Sequence, residues 1–323
     1  MLEIAEFISP EPTPVWKLAQ QAGVNLAVGG LPFSSLQANE RVCDLAPLSR
    51  MKDNYEANGF ELRVIESRPP LNNAKRGLPG GEEEIDVVCE LITNMGKLGI
   101  PVWCYEWMTD FNWVRTTMNT PSRGGSVVTS FNIDDVPDSI TSNPPISEEK
   151  LWETLEHFLK RVVPVAEKAG VKLSMHPDDP PITPIKGVSR IMRTVPNYQR
   201  LIEMVPSDMN TITMCQGNFT LMTDDLPSVI RGFGKKISFV HFRDVRGVPT
   251  KFEETWHDAG KTDMLATMKA YRDIGFDGVL RPDHVPTVEG DSNANAGYSA
   301  FGRLYAIGYI RGLMEAVYEG QQQ

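Results

Sequence analysis

Short apolar or alternating runs recur along the chain between longer segments of helical period, the arrangement that repeated βα units produce around a parallel sheet. The runs are Leu2–Ile8, Val24–Gly29, Glu61–Ser67, Pro101–Trp107, Val171–His176, Thr211–Cys215, Ile237–Phe242 and Gly278–Asp283. Eight parallel strands close a (β/α)8 barrel. The expected fold class is therefore α/β, a single TIM barrel over residues 1–323 with long βα-loop insertions. The first run carries Glu3 and Glu6 and fits a short edge element or a disordered tail almost as well as a barrel strand.

Two helices are read most directly from the pattern. Ser147 can cap a helix whose first turn is acidic and whose Leu151, Leu155, Phe158 and Leu159 share one face. Glu82 to Leu98 repeats this logic, with Ile85, Val88, Cys89, Ile92 and Met95 as the buried stripe. Leu98-Gly99, Ala169-Gly170 and Ile274-Gly275 stand just before the next strands, where glycine ends a helix in a left-handed turn. Thr109 to Pro145 reads as a long irregular loop whose Trp113, Arg115 and Arg123 could reach over a substrate, and Pro69 to Gly81 as a second flexible loop. Both follow strand ends on the face where such barrels build their active sites.

Composition narrows the function classes. With 323 residues and 41% hydrophobic content, the chain can bury a large core, and it has no linker-like tract. A net charge of −10 without a basic run argues against a nucleic-acid partner. No stretch approaches the roughly 20 apolar residues of a membrane span, and Glu3 and Glu6 stand where a signal peptide would be basic. A cytoplasmic enzyme without membrane contact is expected. Cys43, Cys89, Cys104 and Cys215 are too few and too scattered for a disulfide framework.

Four consecutive strand candidates end on possible metal ligands: His176, Cys215, His241 and Asp283. Their gaps are too long for a zinc knuckle and are of the order of one βα unit each. A lone strand-end histidine is ordinarily a satisfied core residue, and a lone cysteine a small apolar one. Four ligand types closing four successive strands point instead to one shared site; a hydrogen-bonded cluster without metal is the alternative. Two imidazoles, a thiolate and a carboxylate suit Mn, Fe, Co or Zn and not Mg or Ca. Around them stand Asp178, Asp179, Arg243, Asp244 and Arg281. Asp178 and Asp179 fit loop and capping roles equally well. His284 immediately follows a strand-end ligand and titrates where proton transfer at neutral pH is efficient. His257, in a βα loop, is read as substrate-binding and His157, on the amphipathic helix, as structural.

These residues lie in blocks that resemble the mannonate dehydratases. The blocks are Leu151-Trp-Glu153, Pro164 to Pro181, Trp113-Val-Arg-Thr116, Met214-Cys-Gln-Gly217, Phe239-Val-His-Phe-Arg243, Asp263-Met264, Arg281-Pro-Asp-His284 and Gly297-Tyr298. The resemblance runs from about Phe60 to Ala316. It implies a xylose-isomerase-like barrel that uses Mn²⁺ or Fe²⁺ to dehydrate D-mannonate to 2-keto-3-deoxy-D-gluconate. Carried over, the ligands are His176, Cys215, His241 and Asp283, while His284 and Tyr298 share the proton transfers and Arg281 binds substrate. The role of Tyr298 rests on the resemblance alone. Val285 stands where the family commonly has glycine, the loop Pro286 to Ala296 differs, and the N-terminal third is expected to be shorter and to match poorly.

The resulting expectation is a metal-dependent β-elimination of water from an aldonate, with Arg281, Arg243 and Arg115 as carboxylate or hydroxyl donors and Trp113 and His257 beside them. A metal-dependent sugar isomerase or epimerase on the same barrel shares the enediol chemistry and is the alternative reading. A non-catalytic sugar-acid-binding protein is a third. The partner is a small sugar acid, and a symmetric homo-oligomer is the expected assembly.

Overall fold

In a computed structural model describing residues 2–141 and 144–318, eight parallel strands close into a barrel in the order β1-β12-β9-β8-β7-β4-β3-β2. They are β1 (Glu3–Phe7), β2 (Leu26–Gly29), β3 (Glu61–Glu66), β4 (Val102–Tyr105), β7 (Lys172–Met175), β8 (Asn210–Cys215), β9 (Ile237–Phe242) and β12 (Val279–Pro282). Each coincides with one of the runs read from the pattern. The doubt over the first run is resolved by charge pairing: Glu6, on the strand face toward the helix layer, is met by Arg303 at 3.0 Å, while Glu3, on the opposite face, meets Arg63 at 3.1 Å. An acidic residue is thus accommodated on each face of a true barrel strand.

The helices are α1 (Pro14–Gln21), α2 (Leu45–Ala57), α3 (Asn72–Arg76), α4 (Gly81–Leu98), α5 (Glu148–Ala169), α6 (Val195–Met204), α7 (Gln216–Met222), α8 (Leu226–Phe233), α9 (Met264–Asp273) and α10 (Ala300–Tyr318). Ser147 caps α5 by accepting from the Lys150 amide, and α4 and α5 end on Gly99 and Gly170, both at φ +70°. The expected faces of both helices are buried, except that Cys89 is only partly covered. Burying side chains such as Leu155 and Phe158 stabilises the barrel by about 1.5–3 kcal/mol each. Among the described residues no helix is long and apolar enough to cross a membrane.

Two segments differ from the sequence expectation. Thr109 to Pro145, apart from Ser142 and Asn143, which lie outside the described residues, contains the hairpin β5 (Thr117–Pro121) and β6 (Val127–Asn132). The β9–α9 connection, read as a plain loop, supplies β10 (Val245–Val248) and β11 (Lys251–Glu254). Together they form a four-stranded antiparallel sheet in the order β10-β11-β6-β5. Its strands come from two insertions, so neither could be recognised locally; Phe131, Val245 and Phe252 give it a small core of its own. Backbone bonds tie this insertion to the barrel mouth, from Val114 to Asp179 at 3.1 Å and in both directions between Val127 and Thr287 at 3.0 and 2.9 Å. Pro69 to Gly81 likewise contains a helix, α3, with Lys75 fully buried.

Candidate active site

Parallel register decides which side chains meet. Cys215 and Arg281 each pair with His241 across the barrel wall, so β8, β9 and β12 end at one level. His176 reaches the same point from the end of β7. Its Nδ1 lies 2.7 Å from the Pro177 carbonyl, which can only accept, so Nδ1 carries the proton and the lone pair of Nε2 faces inward. That Nε2 is 3.2 Å from Nδ1 of His241, and the reactive atoms of His176, Cys215 and His241 all lie within 4.8 Å of one another. Asp283 stands beside this trio, with Oδ2 at 3.6 Å from His241 Nδ1 and 4.0 Å from the Cys215 sulfur.

The cluster fits a divalent cation. Ligand atoms about 2.0–2.3 Å from one ion lie roughly 3–4.5 Å from each other, and the separations of 3.2, 3.6 and 4.0 Å given above fall in that range. Nε2 of His241 is buried without a hydrogen-bond partner and faces Glu66 at 3.3 Å, the carboxylate-behind-imidazole arrangement that turns the other ring nitrogen toward a metal. Burial alone would raise the carboxyl of Asp283, but His284, Arg281, His241 and Arg243 hold it well below the usual range. The same contest leaves Glu66 at about 2, with Arg281 and His241 outweighing burial.

Beside the cluster is an acid/base array. His284 follows β12 with its backbone in the left-handed region, φ +35°, a conformation that costs a non-glycine residue on the order of 1–3 kcal/mol. Its Nδ1 is 3.0 Å from Glu254, which must accept, and 3.3 Å from Nη2 of Arg115, which already donates to Asp179 and Glu254; with Nδ1 donating to the nearer carboxylate, Nε2 is the ring atom left to exchange protons. Nε2 is 3.1 Å from the Tyr298 hydroxyl, which is also 3.5 Å from Asp283. Burial raises the Tyr298 phenol well above its ordinary value. Trp113 covers the ring of His284 at a centroid distance of 5.3 Å.

His176, His241, Asp283, His284, Tyr298, Glu66 and Trp113 line a cavity of about 340 Å³, within the range of small-molecule sites, while Cys215 and Glu254 are buried and do not line it. Of the residues expected to contact substrate, Arg281 and Trp113 line it. Arg281 is largely occupied, with two bonds to Glu66 at 2.8 and 2.7 Å and one to Asp283 at 2.9 Å. Arg115, Arg243 and His257, also expected beside the substrate, do not line it. Arg115 is consumed by Asp179 at 2.6 and 3.0 Å and by Glu254 at 2.5 Å. Arg243 is held by Glu254 at 2.8 and 2.7 Å and by Asp179 at 3.1 Å, with its Nε 2.9 Å from Asp283. Both arginines therefore brace the carboxylates behind the site. Gly217 is required by this packing, since a Cβ there would collide with the Arg243 guanidinium. His257 is fully buried with Nε2 2.8 Å from the Phe242 carbonyl, and burial lowers it to about 4.

Other expected residues have local roles. Arg123 lies outside the cavity, stacked on Trp256 and paired with Asp258 at 2.7 Å. Asp178 is buried, accepts from the Met192 amide at 2.6 Å and is pushed up to about 6 by burial. His157 pairs with Glu82 at 2.6 Å on the outer surface. Sequence reasoning missed Glu66, Arg68, Cys104, Glu106, Asn112 and Glu254. Glu66 and Glu106 stand at the ends of β3 and β4 and obey the same strand-end rule as the four ligands. Glu254 left no such signal, because it belongs to the inserted sheet.

The D-mannonate dehydratase (UxuA) family model matches residues 13–143 and 138–323. A mannonate dehydratase of Thermotoga neapolitana is 34% identical over 339 residues, covering 93% of this chain and 93% of its own length. Mannonate dehydratase 2 of Halalkalibacterium halodurans is 33% identical and covers 83% of this chain and 86% of its own. The crystal structure of mannonate dehydratase from Streptococcus suis serotype 2 superposes with a TM-score of 0.90 at 32% identity, covering 100% of this chain and 95% of that one. A xylose isomerase domain protein from Planctomyces limnophilus shares the fold at a TM-score of 0.62 and 12% identity, covering 98% of each chain. The match from residue 13 onward corrects the expectation that the N-terminal third departs from the family.

Proposed function

The chain belongs to the D-mannonate dehydratase family and is a hydro-lyase acting on a D-mannonate-type aldonate, and we propose that His284 and Tyr298 carry its proton transfers beside a Mn²⁺ or Fe²⁺ site. The observation that supports this reading most directly is the Glu254–His284–Tyr298 array opening into the same cavity as His176, His241 and Asp283.

In the overall reaction the C2–H and C3–O bonds break, water leaves, and the resulting enol becomes the 2-keto-3-deoxy acid. A divalent cation held by His176, Cys215, His241 and Asp283 would supply positive charge at substrate oxygens, which makes a proton next to a carboxylate removable. The two imidazoles, one thiolate and one carboxylate favour a borderline first-row ion over Mg²⁺. Glu254 keeps the proton of His284 on Nδ1, so Nε2 takes the C2 proton. Tyr298, kept protonated by burial, gives its proton to the departing C3 hydroxyl. Asp179 and Glu254, fixed by Arg115 and Arg243, hold this array rigid before substrate arrives. Trp113 shields it from solvent on the open side. A reducing, cytoplasmic setting would keep Cys215 a thiol, as it stands here.

The test is a panel of aldonates assayed with Mn²⁺ or Fe²⁺ under reducing conditions, scoring 2-keto-3-deoxy acid. Formation of the keto acid from D-mannonate supports the assignment. Return of an isomeric acid or sugar of unchanged formula would replace it with an epimerase or isomerase.

A further inference from the structure

The chemistry described so far draws mainly on the β7, β8, β9 and β12 side of the cavity; on the other side only Glu66 and Trp113 have been given a part. That side is built from the ends of β3 and β4 and the segments that follow: Ser67, Arg68, Glu106, Met108, Asn112 and Trp113. Arg68 and Glu106 form an ion pair in which the Arg68 Nε donates to Glu106 Oε1. Nη2 of Arg68 donates to Asn112 at 3.2 Å. Both charged side chains remain partly open to the cavity, at 23% and 14% exposure.

Glu106 is fixed from behind. Lys75 is completely buried and donates to Glu106 Oε1 at 2.8 Å and to the Met108 carbonyl at 2.9 Å, while the Met108 amide donates to Oε2. Lys75 itself is held by α3, whose other contacts include a bond from Thr154 on α5 to the Lys75 carbonyl at 2.7 Å. A buried ammonium beneath a cavity carboxylate is costly to desolvate. Here it leaves Glu106 little freedom to turn away from the cavity.

We propose that the Arg68–Glu106–Asn112 cluster binds the hydroxyl groups of the substrate's polyol tail and makes the enzyme select long-chain aldonates over truncated ones. The proposal rests on the dehydratase reading and extends it to the end of the substrate away from the chemistry. If C2 and C3 react between His284, Tyr298 and the metal-ligand cluster, the remaining carbons occupy the β3 and β4 side. An unpaired arginine there would suit a carboxylate. An arginine already neutralised by Glu106 offers instead a donor beside an acceptor, which matches a hydroxyl that both donates and accepts. Among the described residues, Nη1 of Arg68 makes no hydrogen bond, and Glu106 Oε2 takes only the Met108 amide, so the Nη1 donors and one Oε2 lone pair remain for the tail.

The experiment compares kcat/KM for D-mannonate with that for a four-carbon aldonate of the same configuration at C2 and C3. It uses the metal-loaded wild-type enzyme and the Arg68→Ala, Glu106→Gln and Asn112→Ala variants. Wild type should prefer the six-carbon acid, and each variant should reduce that preference by about 10- to 100-fold, the usual scale for charge-assisted hydrogen bonds. Asn112 is exposed, so its variant reports even if the Arg68 or Glu106 variants fold poorly. Activity on both acids with the wild-type ratio preserved in all soluble variants would overturn the tail assignment alone. Absence of keto acid from either substrate in the wild-type enzyme would overturn the dehydratase reading, and the tail assignment with it.

Discussion

Glu254 lies 3.0 Å from Nδ1 of His284, although the two residues reach the site from different structures, one from the inserted antiparallel sheet and the other from the end of a barrel strand. Glu254 stays ionised at about 2 because Arg243, His284 and Arg115 together outweigh its burial. Its charge orients the ring and, in the proposed mechanism, would stabilise the imidazolium formed when Nε2 takes a proton. Glu254→Gln keeps an acceptor oxygen of similar size but removes that charge. It should lower kcat by about 10²–10⁴ while KM and bound metal change little. Steady-state kinetics with elemental analysis of the same preparations checks this, and an unchanged kcat would sink the assignment.

The barrel was legible in the sequence because its signal is local and periodic. All eight runs are barrel strands, and the parallel register then placed His176, Cys215, His241 and Asp283 together without further information. The partners of the arginines were not legible, for the opposite reason. Arg115 and Arg243 stand near the site in sequence terms, but whether a guanidinium faces substrate depends on which carboxylates meet it, and these are Asp179 and Glu254 from distant segments. The antiparallel sheet escaped notice because β6 and β11 are partners from separate insertions, each too short to announce itself. Glu66 was readable by the strand-end rule that points to His176, Cys215, His241 and Asp283.

Cys215 should be tested as a ligand by Cys215→Ser. The thiol is fully buried and has Asn218 at 2.9 Å as its hydrogen-bond partner, so a hydroxyl can replace it with little disturbance of packing. A neutral hydroxyl binds a borderline divalent ion far less well than a thiolate. The variant should retain its fold by circular dichroism and lose metal during dialysis that leaves the wild type loaded. Equal metal content in the two proteins would remove Cys215 from the ligand set.

Asp244 should give stability an unusual pH dependence. Burial pushes its carboxyl up from 3.8 to about 6, despite hydrogen bonds from Thr262 and the Val245 amide, and Glu254 adds to the rise. Gly260 lies against this carboxyl and leaves no room for a Cβ. Because the folded pKa is raised, the folded state holds this proton more tightly than the unfolded chain. The associated stability is fully present below about pH 4 and is lost as pH rises through about 6, by up to about 3 kcal/mol. Asp244→Asn removes the titration, so the stability difference between wild type and variant should shrink from pH 5 to pH 7. Urea unfolding at the two pH values measures it, and a constant difference would contradict the burial argument.

His284 and Tyr298 are 3.1 Å apart and are assigned different steps, so their variants should fail differently. Without the imidazole no group removes the C2 proton, and His284→Ala should keep its metal but lose both dehydration and exchange of the C2 hydrogen with solvent. The expected loss of turnover is about 10²–10⁴. Tyr298→Phe keeps His284 and Glu254 in contact and removes only the hydroxyl that protonates the departing oxygen. It should therefore dehydrate poorly yet still exchange the C2 hydrogen, because the proton can be taken and returned without loss of water. NMR of D-mannonate in D₂O follows both events in one sample. Exchange in the Tyr298→Phe variant but not in His284→Ala is the expected result. The reverse pattern would exchange their roles, and near-wild-type turnover in either variant would exclude that residue from proton transfer.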